Sequence, residues 1–284
     1  MTTTRATPAP HPAAAGVHGH WPEIAARWGL VGPPLRPSRE DTDFLRREVL
    51  PRLPGAPRVL ILGVTPELHR LPWPARADVR AIDRARAMID AVWPGEPAAA
   101  LCADWRDMPL ESTSFDAVLC DGGLHLLDPP GQTRVLREAR RVLRPGGLCA
   151  FRLFVPPAEH ESPRAVLDDL LARRIANVNE LKMRLLMAMQ ATPGEGVALD
   201  GVWRSLASTA PGLDALAAGT GLDPDALRAL ETYKDRPARY HFVDESDAAA
   251  AFGAAGFRPI ARGAPAYPLG DRCPTLIFRA GGTA

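Results

Sequence analysis

Short apolar runs alternate with amphipathic stretches between residues 58 and 154. Such runs are typical of strands buried on both faces of a parallel sheet, and the stretches between them have the 3.6-residue period of helices. The alternation therefore predicts a parallel sheet with right-handed crossovers. The five predicted strands are 58–63, 79–83, 98–104, 115–121 and 148–154.

The segments around this core have different patterns. Near the N-terminus, Trp21, Ile24 and Trp28 fit one helical face, and Ser38 followed by Asp41 is typical of a capping box. After the fifth strand a long stretch is mostly helical in pattern. The predicted divisions are a disordered tail 1–20, a helical cap 21–52, the core 53–155, a helical insertion or lid 156–242 and the completion of the core sheet 243–284.

The last two predicted strands, 257–262 and 274–279, are joined by a short connection that contains glycines and prolines. A helical crossover does not fit into this connection, so the final strand is predicted to run antiparallel, as in a hairpin. The predicted fold class is α/β: a doubly wound, mostly parallel seven-stranded sheet with an antiparallel last strand and a helical insertion after strand five.

Composition narrows the class of protein. The chain has 284 residues, of which 46% are hydrophobic and 24% are charged, as is ordinary for a globular protein. No apolar run approaches the length of a membrane span and no secretory signal is recognised, so we expect a cytoplasmic protein without membrane contact. The formal net charge of +1, without a basic stripe, argues against nucleic acid as a partner.

Cysteine and histidine do not indicate a metal site. The four cysteines lack the spacing of metal ligands, and three of them lie in apolar runs. We expect buried free thiols in a reducing compartment. The histidines before residue 21, among them His20, are expected to belong to a solvated tail.

Acidic residues end the second, third and fourth predicted strands: Asp83, Asp104 and Asp121. Ligands of open parallel sheets bind at these carboxyl ends. An acid 20 residues after Gly63 can accept hydrogen bonds from both hydroxyls of a ribose, and the next acid can accept from an adenine amino group. The ordered set predicts an adenosine-type ligand. No G-x-G-x-x-G follows the first strand, which argues against NAD or FAD.

Four stretches of the core resemble motifs of the class I S-adenosylmethionine (SAM)-dependent methyltransferases, which have a Rossmann-like fold. The most recognisable is Glu138–Gly147, the helix and turn before the fifth strand. Ala81–Met88, Leu101–Leu110 and Ser114–His125 resemble the acidic-loop, adenine-side and fourth-strand motifs. The resemblance implies that SAM is the cofactor.

The resemblance also assigns residues to parts of SAM. These are Asp83 at the ribose hydroxyls, Asp104, Arg84, Met88 and Trp105 around the base, Gly63 and Thr65 beneath the methionine part, Asp121 and Gly122 at the amino group, and Arg36 at the carboxylate. For Arg36, a plain surface arginine is the alternative interpretation.

The first-strand motif departs from the family pattern acid-x-Gly-x-Gly-x-Gly. Ile61 replaces the acid, and Thr65 and Glu67 replace two glycines. These side chains should narrow the passage for the ligand, and Pro66 removes a backbone donor. Three explanations stay open: a rebuilt loop that binds SAM, a SAM enzyme with other chemistry such as cyclisation releasing methylthioadenosine, or a non-catalytic protein that acts through protein contacts.

The candidate catalytic residues are His125, just past the fourth strand, and Tyr240, before the last helix; its neighbours His241 and Phe242 are also expected to be able to return to the pocket. Ordinary packing is the alternative for each. Arg152 lies on a strand predicted to be buried, so its charge must pair or point into a cavity, where it would contact substrate or a carboxylate.

The helical insertion indicates that the molecule accepting the methyl group is small. Closure of a lid of about 85 residues would exclude water from a small molecule. Asn177, Asn179 and Lys182 are candidates to face the cleft from this lid. The insertion's alternative use is a homodimer interface. The sequence thus predicts a SAM-dependent methyltransferase acting on a small molecule or metabolite.

Overall fold

The computed structural model describes residues 19–281, which form a central sheet covered by helices on both faces. Seven strands lie in the order β3-β2-β1-β4-β5-β9-β8, and β6 pairs with β7 in a separate ribbon. The strands are β1 Arg58–Leu62, β2 Asp78–Asp83, β3 Ala100–Cys102, β4 Phe115–Asp121, β5 Leu143–Arg152, β6 Val197–Ala198, β7 Arg239–Tyr240, β8 Phe257–Gly263 and β9 Thr275–Ala280. The helices are α1 Trp21–Ala26, α2 Arg39–Glu48, α3 Pro66–His69, α4 Arg86–Val92, α5 Pro129–Val142, α6 Pro163–Leu171, α7 Val178–Met189, α8 Leu199–Ala207, α9 Leu213–Thr220, α10 Pro224–Arg228 and α11 Glu245–Ala254.

Strand directions confirm the predicted fold class. The first five strands pair in parallel, while β9 lies antiparallel between β5 and β8. The strand order reverses between β1 and β4, so their carboxyl ends flank the crevice where ligands of such sheets bind. β3 is shorter than predicted because the three residues before it form a 3-10 turn.

The continuous apolar runs are explained by burial on both faces of the sheet. Along β1, Leu60 and Leu62 belong to the core cluster shared with α5 and α11. Val59 and Ile61 belong to the opposite cluster, shared with α2 and α4. Ile61, which replaces the motif's acid, is fully buried and therefore contributes packing.

The insertion, residues 156–242, contains α6 to α10 and has a hydrophobic core of its own. α7 lies at its centre, with nearly all of its residues buried. The N-cap Asn177 accepts a hydrogen bond from the backbone of Glu180 at 2.9 Å. The insertion core continues to Phe154, just after β5, so the insertion packs directly against the end of the sheet.

The N-terminal cap, residues 21–52, packs against the sheet through α1 and α2. The predicted capping box is present: the Ser38 backbone donates to Asp41, and the Asp41 backbone donates to Ser38. His20, assigned by its pattern to the tail, is fully buried. The rest of the predicted tail, residues 1–18, and the terminal residues 282–284 lie outside the described part.

Candidate functional site

A cavity lies over the carboxyl ends of β1, β2 and β4. Its floor includes Gly63, Asp83 and Asp121. The N-terminal cap contributes residues of α1, and the insertion contributes residues of α7 together with Tyr233 and Tyr240. Three segments that are distant in sequence therefore enclose one space.

Most of the predicted site residues meet at this cavity. Nine of them line it: Gly63, Thr65, Asp83, Met88, Trp105, Asp121, Gly122, His125 and Tyr240. Arg84 and Asp104 line a smaller pocket, which shares Asp83 and Trp105 with the main cavity. Arg36 lines neither space.

Asp83 ends β2 with its carboxyl group largely removed from solvent. One oxygen accepts a hydrogen bond from the backbone of Ala85 at 2.8 Å. Burial raises the pKa of Asp83 to about 6, against the effects of this hydrogen bond and of the Arg84 charge. Asp83 can therefore accept hydrogen bonds from a ligand's hydroxyls most strongly above pH 6, where it is ionised.

The loop after β1 is rebuilt around the motif's replaced glycines. Gly63 keeps a positive φ of +93°, which a glycine readily adopts. Thr65 has a φ of −62°, so no glycine is needed there, and Pro66 begins α3 as its first residue. Gly122 also has a positive φ, of +55°. At these two glycines on the cavity floor, a ligand can therefore come close to the backbone.

Glu67, at the third glycine position, binds Arg36. The Arg36 Nε donates to Glu67 at 3.0 Å, and its Nη1 donates to the backbone oxygen of Val31 at 3.1 Å. The guanidinium also lies 5.0 Å from the Trp28 ring centroid. The side chain predicted to contact a cofactor carboxylate therefore links the N-terminal cap to α3.

Asp104 is held by Arg106, two residues further along the chain. The Arg106 side chain donates to both carboxylate oxygens, and its backbone donates at 2.8 Å. Burial alone would raise the pKa of Asp104, but these hydrogen bonds hold it below its usual range. Next to it, Trp105 donates from Nε1 to the backbone oxygen of Ile82 at 2.7 Å, which fixes the indole at the cavity.

Arg152 pairs with Asp121 across the ends of β5 and β4, with about 3% and 5% of the two side chains exposed. Its Nη1 donates to the backbone oxygen of Pro34 at 2.9 Å and to the Tyr267 hydroxyl at 3.3 Å. Burial would lower the pKa of Arg152, but the charge of Asp121 keeps it above its ordinary value. The guanidinium thus pairs within the fold, and its Nη2 makes no hydrogen bond.

His125 lies in an aromatic box at the insertion side of the cavity. Its ring stacks on Phe242 at 5.1 Å, and Tyr240 and Phe154 approach it at 4.9 and 5.0 Å. Burial, with the charges of Arg152 and His241, lowers the pKa of His125 to about 3. The imidazole is therefore neutral at physiological pH, and its Nδ1 makes no hydrogen bond.

Tyr240 is hydrogen-bonded through its hydroxyl to Nε2 of His20 at 3.3 Å. Burial, together with the charges of Arg236 and Arg84, lowers the pKa of His20 to about 4. His241 points elsewhere, with its Nδ1 2.8 Å from the backbone oxygen of Pro193.

Phe242, beside Tyr240, belongs to the aromatic wall of the cavity. The other members of this wall, which the sequence did not predict as site residues, are Trp21, Trp28, Phe154 and Tyr233. Each stands in a stretch where an aromatic residue is ordinary core material, so no local signal distinguishes it. Of the three lid candidates, Lys182 lines the cavity, Asn177 caps α7, and the Asn179 side chain donates to the backbone of Leu30 at 3.3 Å.

Comparisons with known proteins agree with this fold. Residues 62–151 match the family model described as a methyltransferase domain. An uncharacterised methyltransferase of Mycobacterium tuberculosis is 39% identical over 95 residues, which is 33% of this chain and 38% of the relative. A Mycobacterium bovis protein of the same description matches equally. The chain thus spans well under half the length of these relatives.

Solved structures extend the fold likeness to nearly the full chain. A Burkholderia thailandensis 1,6-didemethyltoxoflavin-N1-methyltransferase, solved with bound 1,6-didemethyltoxoflavin and S-adenosylhomocysteine, has a TM-score of 0.51 at 14% identity, over 96% of this chain and 94% of its own. A Rhodobacter sphaeroides protein provisionally assigned as a Zn-dependent alcohol dehydrogenase has a TM-score of 0.55 at 16% identity, over 92% and 98%. At these identities the likeness concerns the fold.

The chain thus has a Rossmann-like sheet, within which residues 62–151 match a methyltransferase domain. Within residues 19–281, no three His, Cys, Asp or Glu side chains are grouped to hold a metal ion. No helix of that same part has the length and apolar character needed to span a bilayer.

Proposed function

We propose that the protein transfers the methyl group of SAM to a small molecule. One observation carries the proposal: the cavity joins a buried carboxylate, Asp83, at the sheet to the aromatic box around His125 under the insertion. A cofactor at the carboxyl ends of the strands would thus share one enclosed space with an acceptor. Such enclosure orients the reactants and removes water from between them.

The residues on the floor fit the cofactor. Asp83 would accept hydrogen bonds from the ribose hydroxyls, with Met88 and Trp105 beside the base. Gly63 and Gly122 would let the backbone approach the methionine part, since each has a positive φ. When bound, SAM supplies an electrophilic methyl group on a sulfonium.

His125 and Tyr240 are proposed to position the acceptor. A general base works best when its pKa lies near the operating pH, and the pKa of His125 is lowered to about 3. Burial raises the pKa of Tyr240 well above its usual value, so its hydroxyl stays protonated. Both side chains can exchange hydrogen bonds with an acceptor as neutral groups.

The test is calorimetric titration of the purified protein with SAM and with S-adenosylhomocysteine, followed by mass spectrometry of candidate acceptors. We expect both to bind, and one acceptor to gain a methyl group. Absence of binding in a folded sample would overturn the proposal and favour a role through protein contacts. Release of methylthioadenosine without a methylated product would indicate other SAM chemistry.

A further inference from the structure

Lys182 is a cation in the wall of the cavity, on the part of α7 that faces the cofactor floor. Its Nζ lies 6.0 Å from the Tyr233 ring centroid. Among residues 19–281, no carboxylate lies within salt-bridge distance of it, and it makes no side-chain hydrogen bond to another residue. The ammonium thus lies near an aromatic face, which stabilises a cation less than an anion does.

The other charged residues of the cavity have partners or are open to solvent. Asp121 pairs with Arg152, and Glu23 pairs with Arg236 at 2.6 Å. Asp83 accepts a backbone hydrogen bond, and Arg27 is exposed. Apart from the exposed Arg27, Asp83 and Lys182 are the two without an ion-pair partner in the described part of the chain, and of these only Asp83 has a hydrogen bond within the fold.

An unpaired cation in such surroundings is costly, and methionine would fill the same volume without that cost. Burial lowers the pKa of Lys182 to about 8, so the ammonium remains the main form at pH 7. Its surroundings are apolar and aromatic: Met183, Leu186 and Tyr233 line the same wall.

We propose that Lys182 binds a negatively charged oxygen of the acceptor, which is therefore a small aromatic molecule that carries a carboxylate or a phenolate. The aromatic box around His125 would hold the ring, and the ammonium would supply the anion's counter-charge. That the bound molecule is the methyl acceptor rests on the proposed function. The binding of an anion at Lys182 does not itself require SAM.

The test uses two pairs of probes at pH 7, titrated calorimetrically into the full chain with and without S-adenosylhomocysteine. Benzoate is paired with benzamide, and 2,4-dinitrophenolate with 2,4-dinitroanisole. In the wild type we expect the anion of one pair to bind about tenfold more tightly than its neutral partner. The pair that shows the preference distinguishes a carboxylate from a phenolate.

Variants of Lys182 test whether this residue causes the preference for the anionic probe. Lys182→Met should remove it and Lys182→Arg should keep it. The matched control is Lys234→Met, because Lys234 is the chain's other lysine, is exposed, and lies 5.1 Å from the Trp203 ring centroid outside the cavity. That variant should behave as the wild type. SAM titration and thermal melting of each variant show that it is folded.

Two results overturn the inference: no preference for either anion in the wild type, or a preference that persists in Lys182→Met. SAM binding without any anion preference removes this inference and leaves the proposed function. An anion preference that depends on Lys182, in a protein that binds no SAM, removes the proposed function and leaves the anion site.

Discussion

Asp83 and Asp104 show how neighbouring atoms decide what a strand-end carboxylate does. Both follow strands of the same sheet and both border the ligand space. Arg106 donates to both oxygens of Asp104, whereas Asp83 has no arginine partner and is desolvated. The pKa values of the two carboxyls therefore move in opposite directions, and Asp83 is the one that titrates near pH 6.

The affinity for SAM should fall as the pH drops through 6. The carboxylate form of Asp83 accepts hydrogen bonds from hydroxyls, and protonation removes that form. With a pKa of about 6, roughly a tenth of Asp83 is ionised at pH 5, so binding should be about tenfold weaker there than at pH 7. His125 in the cavity and His20 beside Tyr240, with pKa values near 3 and 4, stay mainly neutral across this interval. Calorimetric titration at several pH values checks this.

Asp83→Asn is the matched control for that pH dependence. It should weaken SAM binding at pH 7 by about 1.5–3 kcal/mol, the scale of lost charged hydrogen bonds. The variant's dissociation constant should also be flat between pH 5 and 7. A wild-type constant that is equally flat would remove Asp83 from the ribose site.

The ends of β4 and β5 are joined by a buried ion pair, and through it to the N-terminal cap. Arg152 bonds to Asp121, to the backbone of Pro34 and to Tyr267, whose hydroxyl donates to Asp41 of α2 at 3.1 Å. Because both charges are removed from water, the loss of either partner leaves the other unpaired.

Arg152→Met should therefore lower the free energy of unfolding by about 3–5 kcal/mol, as measured by urea denaturation. The control is Arg262→Met, whose partner Glu245 is 30% exposed and whose own side chain is 52% exposed. An exposed pair of that kind contributes about 0–1 kcal/mol. Equal losses for the two variants would contradict a structural role for the buried pair.

Restoring glycine at two motif positions tests the loop between β1 and α3. Thr65 has an ordinary negative φ, and Glu67 binds Arg36 instead of filling the cavity. Thr65→Gly/Glu67→Gly should still bind SAM, while amide exchange around Val31 should increase because Arg36 loses its partner. Complete loss of SAM binding would mean that these side chains hold the cofactor themselves.

The cavity couples three segments of the protein, because its walls come from the sheet, α1 and α7. A ligand that fills it contacts all three, so its binding energy stabilises their arrangement as well as the core. The insertion has its own hydrophobic core, which lets it act as one packed unit against the cavity.

SAM at a hundredfold excess over its dissociation constant should stabilise the folded protein by about 2.7 kcal/mol and raise its melting temperature. Hydrogen exchange should slow in α1 and α7 as well as at the ends of β1 and β2. Methylthioadenosine, which lacks the amino acid part, is the matched ligand for comparison. Protection restricted to the sheet would contradict closure by the cap and the insertion.

The sheet and the likeness to methyltransferase motifs could be read from the sequence because their signals are local. Burial on both faces makes each strand a continuous apolar run, and the short connection between β8 and β9 permits only an antiparallel return. Asp83 ends β2 at a fixed spacing of 20 residues from Gly63, so it could be placed at the ligand crevice before any coordinates.

The partners of the site's charged residues depend on contacts between distant segments. Arg36 and Glu67 are 31 positions apart, as are Asp121 and Arg152, and no periodicity links such pairs. The unpaired state of Lys182 likewise emerges only when the insertion folds over the sheet. Burial and charge pairing are properties of the packed chain, so the chemistry of these side chains follows from the tertiary structure, whereas the fold follows from local pattern.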